Sequence, residues 1–342
     1  MKKKKLWWQI PFLIVLIVGT VLIVRGQAKT PYQRNEGFIF GTVYHVVYQY
    51  DGNLQPEIEK ELKQVDYVFS MFNKDSEVAR FNRDGHIAMS EMFGEVYQLA
   101  VEVNKETHGA FDITVAPLVN AWGFGFKHQQ MPDRKQVEQL RSHVGMDKLE
   151  VRKLGQGKSE LVRHDAKTML DFSAIAKGYG CTAVSRLLRK KGVNNFMVEI
   201  GGEVVTSGIN DQRLPWRIGV TKPTDDSLNT SNEIQTVLNV TDMAMATSGN
   251  YRNFYYKGGK KYAHTIDPQT GYPVQHNILS STVLAKDCAT ADAYATAFMV
   301  LGLDGARKIL DNHPELMVYF IFDNHGKLDV WYSPSLKKKI LE

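Results

Sequence analysis

An α+β fold is what this 342-residue sequence leads one to expect, on three observations. Helix-patterned and strand-patterned segments come in runs rather than in strict alternation, which argues against a doubly wound parallel sheet. The C-terminal "MVYFIFDNHGKLDVWYS" reads as an antiparallel hairpin turning around Asn324–Gly326. Apolar (43%) and charged (23%) contents are those of a globular protein long enough to bury one large core or two smaller ones.

The elements follow in order. After "MKKKK" comes "LWWQIPFLIVLIVGTVLIV", Leu6 to Val24, about nineteen residues without charge. That length predicts one N-terminal transmembrane helix, with Trp7 and Trp8 at an interface and the lysines holding the N-terminus in the cytoplasm. A cleaved signal peptide competes, but the apolar run is long and "VRGQAKT" is a poor small-residue cleavage site. The expected organisation is an anchor over 1–25, a polar linker over 26–36 and one catalytic domain over 37–342.

"GFIFGTVYHVVYQY" alternates as a strand does. "LQPEIEKELKQVDYVFSMF" has helical periodicity, with Ile58, Leu62, Val65, Val68 and Phe69 on one face. "SEMFGEVYQLAVEVNKETHG", "DRKQVEQLRSHVG" and "DFSAIAKGYGCTAVSRLLRKKG" are three more helices, and the first of these ends at a Gly stop signal. "FMVEIGGEVVTSG", "WRIGVTKP" and "IQTVLNVTDMAMATSG" are strand-like, and "TDDSLNTSNE" (Thr224–Glu233) is a polar surface loop.

The net charge of +5 is carried by Lys2–Lys5 and Arg25, so the remainder of the chain is neutral. With no basic stripe and interleaved aromatics, a nucleic-acid role is not expected. Cys181 and Cys288 have no thiol or His partner at metal-ligand spacing and read as buried free thiols. The Walker loop, the dinucleotide fingerprint, H-E-x-x-H and G-x-S-x-G are all missing from the sequence.

Four clusters carry chemistry. In "CATADAYATAFMVLG" a carboxylate, Asp292, sits in a helix of small and apolar residues, with Thr296 one turn further on the same face. Two readings stand: a pair of hard oxygen ligands for Mg²⁺ or Ca²⁺, or an acid paired with a cation or capping a neighbouring loop. "DFSAIAKGYG" offers small residues and Lys177 at a helix start, suited to an anion or to a plain capped helix. The glycine pair of "EIGGEV" marks a close backbone approach or a simple bulge. "KYAHTIDPQTGYPV" places His264 beside a Pro268–Gly271 turn, as a general base or a structural histidine.

Taken in order, "FSMFNKDSEVARFN", "FDITVAPLVNAWGFG", "DFSAIAKGYG", "EIGGEV" and "ATSGNYRNFY…YAHTIDPQTGYPV…CATADAYATAFMVLG" resemble the motifs of the ApbE family of flavin transferases, over about Gly37 to Tyr332. The resemblance implies a T-fold-related domain of mixed or antiparallel sheets flanked by helices. It implies an enzyme that binds FAD and Mg²⁺ and attaches FMN by a phosphoester bond to a Thr or Ser of an exported target, releasing AMP. Targets of this kind belong to membrane redox complexes. The cell address implied is the bacterial cell membrane, single-pass, with the catalytic domain outside the cytoplasm.

Carried over by position, the resemblance assigns Asp292, Thr296 and the Ala174 carbonyl to the metal. It assigns Asp171, Lys177, Ile266 and the segment Ala116, Pro117 and Leu118 to the flavin nucleotide. Phe72 stands where many relatives stack a Tyr on the flavin, and keeps the stacking face without the hydroxyl. Phe40 stands where some have Met. His264 matches a residue that deprotonates the acceptor hydroxyl, with Asp267 close by, and Asn250 stands where an acid is common. Two rivals share these residues: an FAD pyrophosphatase that uses water as acceptor, and a flavin-binding protein without catalysis.

Overall fold

The computed structural model describes residues 10–20, 30–125, 131–223, 233–250, 254–257 and 260–341. The first correction concerns the N-terminus. The described part of the apolar run is an α-helix over residues 10–20 (α1), and among the described residues no helix is long and apolar enough to cross a membrane. At about 1.5 Å per residue this helix covers roughly 16 Å, half of a hydrocarbon core of about 30 Å. The expected transmembrane helix is therefore not part of this structure; residues 1–9 and 21–29 lie outside the described residues.

The α+β class holds. An eight-stranded sheet runs in the order β1 (Tyr32–Ile39), β2 (Thr42–Gln49), β6 (Phe196–Ile200), β7 (Glu203–Ser207), β10 (Ala244–Gly249), β13 (Ile278–Ala285), β14 (Met317–Asn324) and β15 (Lys327–Tyr332). Every neighbouring pair is antiparallel. "GFIFGTVYHVVYQY" is thus two strands rather than one. Phe40 and Gly41 turn the chain with φ of 51° and 75°, the pair of positive values that a two-residue hairpin of matching twist needs. β1 also takes in residues 32–36, within the span expected to be linker.

Likewise "IQTVLNVTDMAMATSG" splits into β9 (Ile234–Asn239) and β10. β9 pairs with β8 (Arg217–Thr221) in a separate ribbon, while β10 enters the main sheet. A small sheet of β3 (His86–Ala88), β4 (Leu149–Gly155) and β5 (Lys158–Arg163) and a ribbon of β11 (Phe254–Lys257) and β12 (Lys260–Ala263) complete the strands. The loop expected at Thr224–Glu233 lies outside the described residues over 224–232.

Helices cover one face of the main sheet. α2 (Gln55–Phe69) buries the five residues that its periodicity marked out. α3 (Glu77–Asp84) and α4 (Glu91–Glu106) start at Ser76 and Ser90, whose hydroxyls accept the amides of Ala79 and Phe93. α7 (Ala176–Lys190) and α8 (Cys288–Leu310) lie side by side on the sheet, with Phe298 and Phe320 meeting edge to face across the layer. On the opposite face the β8–β9 ribbon closes a smaller core around Val220, Leu238, Met245, Leu284 and Tyr319. Short α5 (Ala116–Ala121) and α6 (Arg134–Arg141) form an outlying cluster of Leu118, Trp122, Val137 and Ile266.

Candidate active site

The N-terminus of α7 is built from the turn that precedes it. Asp171 is buried; its amide donates to the Ile113 carbonyl (2.7 Å) and its Oδ1 accepts the Ser173 amide (2.8 Å). Burial pushes its carboxyl pKa up, against the pull of that amide. The chain then turns through Phe172 and half-buried Ala174 and enters α7 without a side-chain cap, since Ile175 occupies that position. The cap comes from another helix: Asp292 Oδ2 accepts the Gly178 amide at 2.9 Å. A carboxylate there also meets the positive end of the α7 dipole. One of the two readings of Asp292, a carboxylate that caps a neighbour, is thus realised.

Gly178 makes this approach possible. A Cβ at that position would lie 2.3 Å from the Cys288 carbonyl oxygen and 2.7 Å from Asp292 Cβ. The two helices therefore touch backbone to backbone.

Around this contact the charges concentrate. Lys177 Nζ donates to Glu203 Oε1 at 2.7 Å, with the Glu203 side chain 2% and the Lys177 side chain 33% exposed. Burial and the charge of Asp292 push the Glu203 carboxyl up to about 7, against the lowering effect of Lys177. Burial raises Asp292 as well, and Lys177 and the Gly178 amide offset it only in part. For Lys177 burial favours the neutral amine, yet Glu203 and Asp292 outweigh it and the ammonium is held more firmly than in water. One cation thus faces two buried carboxyl groups, both raised above the ordinary carboxylate range. Half-buried Thr296, one turn along α8, exchanges a hydrogen bond with Ser248 at the end of β10 (3.0 Å).

A second group lies beside the first. Ala116, Pro117 and Leu118 are buried in α5, and Leu118 packs with Ile266. Trp122 Nε1 donates to the Gly271 carbonyl (2.8 Å), and the ring stacks on Tyr262, which stacks on Tyr255. His264 is half-buried with its ring edge-on to Phe124 (6.4 Å). Its neighbour Thr265 donates to Asn250 Oδ1 (2.8 Å), tying this segment to the end of β10 and thereby to Ser248 and Thr296. Asp267 Oδ1 accepts the Gln269 amide (2.8 Å), so its carboxylate braces the turn after His264.

Ala174, Lys177, Asp292 and Thr296 thus share one place, with Asp171 at the entrance to the same turn. Phe40, in the β1–β2 turn, packs against α7 at Gly180, where a Cβ would come within 2.7 Å of its ring. Phe72 lies on the loop after α2, 78% exposed. Sequence reasoning marked Ser248 only as part of a polar turn with Thr247 and Gly249, and missed Glu203. An acid directly after two glycines in an otherwise apolar strand was the available signal for Glu203. Among the described residues no three His, Cys, Asp or Glu side chains gather as metal ligands, so hydroxyl and carbonyl oxygens would have to complete any cation site.

The model of the ApbE family matches residues 40–320. A Haemophilus influenzae protein named FAD:protein FMN transferase is 36% identical, over 96% of this chain and 97% of its own. The flavin transferase ApbE from Vibrio cholerae superposes with a TM-score of 0.80 at 33% identity, covering 90% of this chain and all of that one. The apo form of the Pseudomonas stutzeri flavinyl transferase ApbE gives 0.81 at 28% identity, over 92% of this chain and 98% of that one. On the family match and these full-length similarities, this chain belongs to the ApbE family.

Proposed function

We propose that this ApbE-family enzyme is an FAD:protein FMN transferase, moving the FMN half of FAD onto a Ser or Thr hydroxyl of an acceptor protein with release of AMP. The observation that carries the proposal is the junction of α7 and α8, where Lys177, Asp292 and Thr296 gather at a helix N-terminus whose own N-cap residue, Ile175, offers no side-chain cap. Such a terminus suits a pyrophosphate, because its amides and dipole favour anions.

The residues fit Mg²⁺ on the chemistry of their donors. Asp292, the Thr296 hydroxyl and the Ala174 carbonyl are all hard oxygen groups, the donor type that Mg²⁺ prefers. When bound there, Mg²⁺ would neutralise charge on the pyrophosphate oxygens.

The chain's own residues do the rest. Lys177 adds a fixed positive charge beside the scissile phosphates, and Asp171 holds the turn that presents the α7 amides. Ala116, Pro117, Leu118 and Ile266 form the apolar wall for a ring of the nucleotide. Phe40 and Phe72 supply flat apolar contacts to the flavin. His264 takes the proton from the acceptor hydroxyl as its oxygen attacks the FMN-side phosphorus; the phosphorus–oxygen bond to AMP breaks, and AMP leaves. Asp267 acts through the turn it braces. The acceptor in this reading is an exported protein of the kind found in membrane redox complexes.

The test incubates purified protein with FAD, MgCl₂ and an acceptor domain bearing an exposed Thr, with EDTA as control. Covalent flavin fluorescence on the acceptor together with AMP release, both lost with EDTA, is the expected result. AMP without a labelled acceptor would replace the transferase with a pyrophosphatase, and neither product would leave a flavin-binding protein.

A further inference from the structure

We infer that Glu203 is the positioning residue for Lys177: from the start of β7 its buried carboxylate fixes the lysine ammonium over the first turn of α7, beside Asp292. The inference rests on the transferase reading above and adds to it a residue with a role of its own.

The two members of the pair differ in a telling way. Glu203 is nearly sealed, whereas Lys177 keeps a third of its side chain accessible, so only the lysine can meet a ligand. Glu203 is also the rigid member. It follows the Gly201–Gly202 turn (φ 61° and 105°), pairs with Ile200 across the hairpin, and its carbonyl accepts the Cys181 thiol. Gly201 in turn sits against Thr42 of β2, which anchors the turn to the next hairpin. A lysine left in water spreads its charge over many rotamers; gripped from below at 2.7 Å, it presents that charge at one point.

A carboxylate is an expensive choice for a purely structural link at this spot. Its second oxygen, Oε2, is buried and makes no hydrogen bond among the described residues. An apolar side chain would fill the space without an unpaired oxygen or a desolvated charge. Gripping Lys177 is what the carboxylate does that such a side chain could not.

A double-mutant cycle on FAD binding tests this. The full chain would be titrated with FAD, following flavin fluorescence, as wild type, Glu203→Gln, Lys177→Met and the double variant, each checked by thermal melting. Glu203→Gln should weaken binding about tenfold, the scale of one lost contact to a charge. Added to Lys177→Met, the same change should shift Kd by less than about twofold, because the group it acts through is gone. Glu203→Asp, which keeps the charge on a shorter arm, should recover part of the loss, and it carries the cycle should Glu203→Gln fail to fold. Losses that multiply, or unchanged affinity in the Glu203 variants, would overturn the positioning role alone. A wild-type chain with no affinity for FAD would overturn the transferase reading along with it.

Discussion

Replacing Gly178 by alanine sets two physical effects against each other. Within α7 the change should help, since alanine is favoured over glycine by about 1 kcal/mol in a helix interior. Packing opposes it. The new methyl would lie 2.3 Å from the Cys288 carbonyl oxygen and 2.7 Å from Asp292 Cβ. The nearer of these atoms is backbone, so the helices must part rather than a side chain swing away. Overpacking of this kind costs about 1–3 kcal/mol. Separation also stretches the 2.9 Å bond from the Gly178 amide to Asp292, a contact to a charged group of about 1.5–3 kcal/mol. The net expectation is a loss of roughly 2–4 kcal/mol. Gly180→Ala is the matched control, because there the closest atom is the edge of the Phe40 ring (2.7 Å), which can shift. Urea unfolding of both variants, with FAD titration alongside, makes the comparison. A Gly178→Ala protein as stable as wild type, or more so, would mean that the contact between α7 and α8 does not constrain the site, and the account given for Asp292 would fall with it.

Other perturbations separate the remaining roles. Asp292→Ala should abolish FMN transfer and AMP release alike; near-wild-type turnover in purified protein would remove Asp292 from the reaction. Phe72 is 78% exposed, so Phe72→Ala should leave the melting temperature unchanged while weakening FAD by about 1–3 kcal/mol, the range for an aromatic side chain stacked on a base. Equal affinity in a titration would take Phe72 out of the binding surface. His276 is half-buried, and desolvation holds its imidazole below the ordinary value of 6.5, with the Met299 and Val300 backbone and Asp267 pulling the other way. A base depressed on folding contributes stability above pH 6.5 that is lost as pH falls through its folded value. Wild type should therefore weaken between pH 7 and 5 by more than His276→Gln does, as measured by urea midpoints; parallel curves would count against this.

Much of the fold was legible because local rules sufficed. The apolar face of α2 follows from a 3.6-residue period, and the β14–β15 hairpin from a polar turn between β-rich arms. The β1–β2 hairpin was not, because its turn is Phe40-Gly41 where the expected signal would be Asn-Gly. α3 is two turns long, too short for periodicity to register. β9 and β10 read as one strand because their separation into different sheets is decided by partners far along the chain. In the site, Asp292 stood out because a carboxylate among alanines breaks a pattern. Glu203 did not, since its significance lies in Lys177, 26 residues away, and in a burial that only the sheet provides.

The strand order of the main sheet has a consequence for how the molecule is assembled. From β1 to β15 the strands lie side by side in the order in which they occur in the chain. No strand has to be threaded between two that are already joined, so the sheet can grow at one edge as polypeptide emerges from a ribosome or a translocation pore. The exception in pace is the second junction: β2 ends at Gln49 and its partner β6 begins at Phe196, so the first hairpin must wait for all of α2 to α7 before the next strand arrives. Closing that long loop is the step most exposed to mispairing, and the first hairpin's edge is what a chaperone would need to shield in the interval.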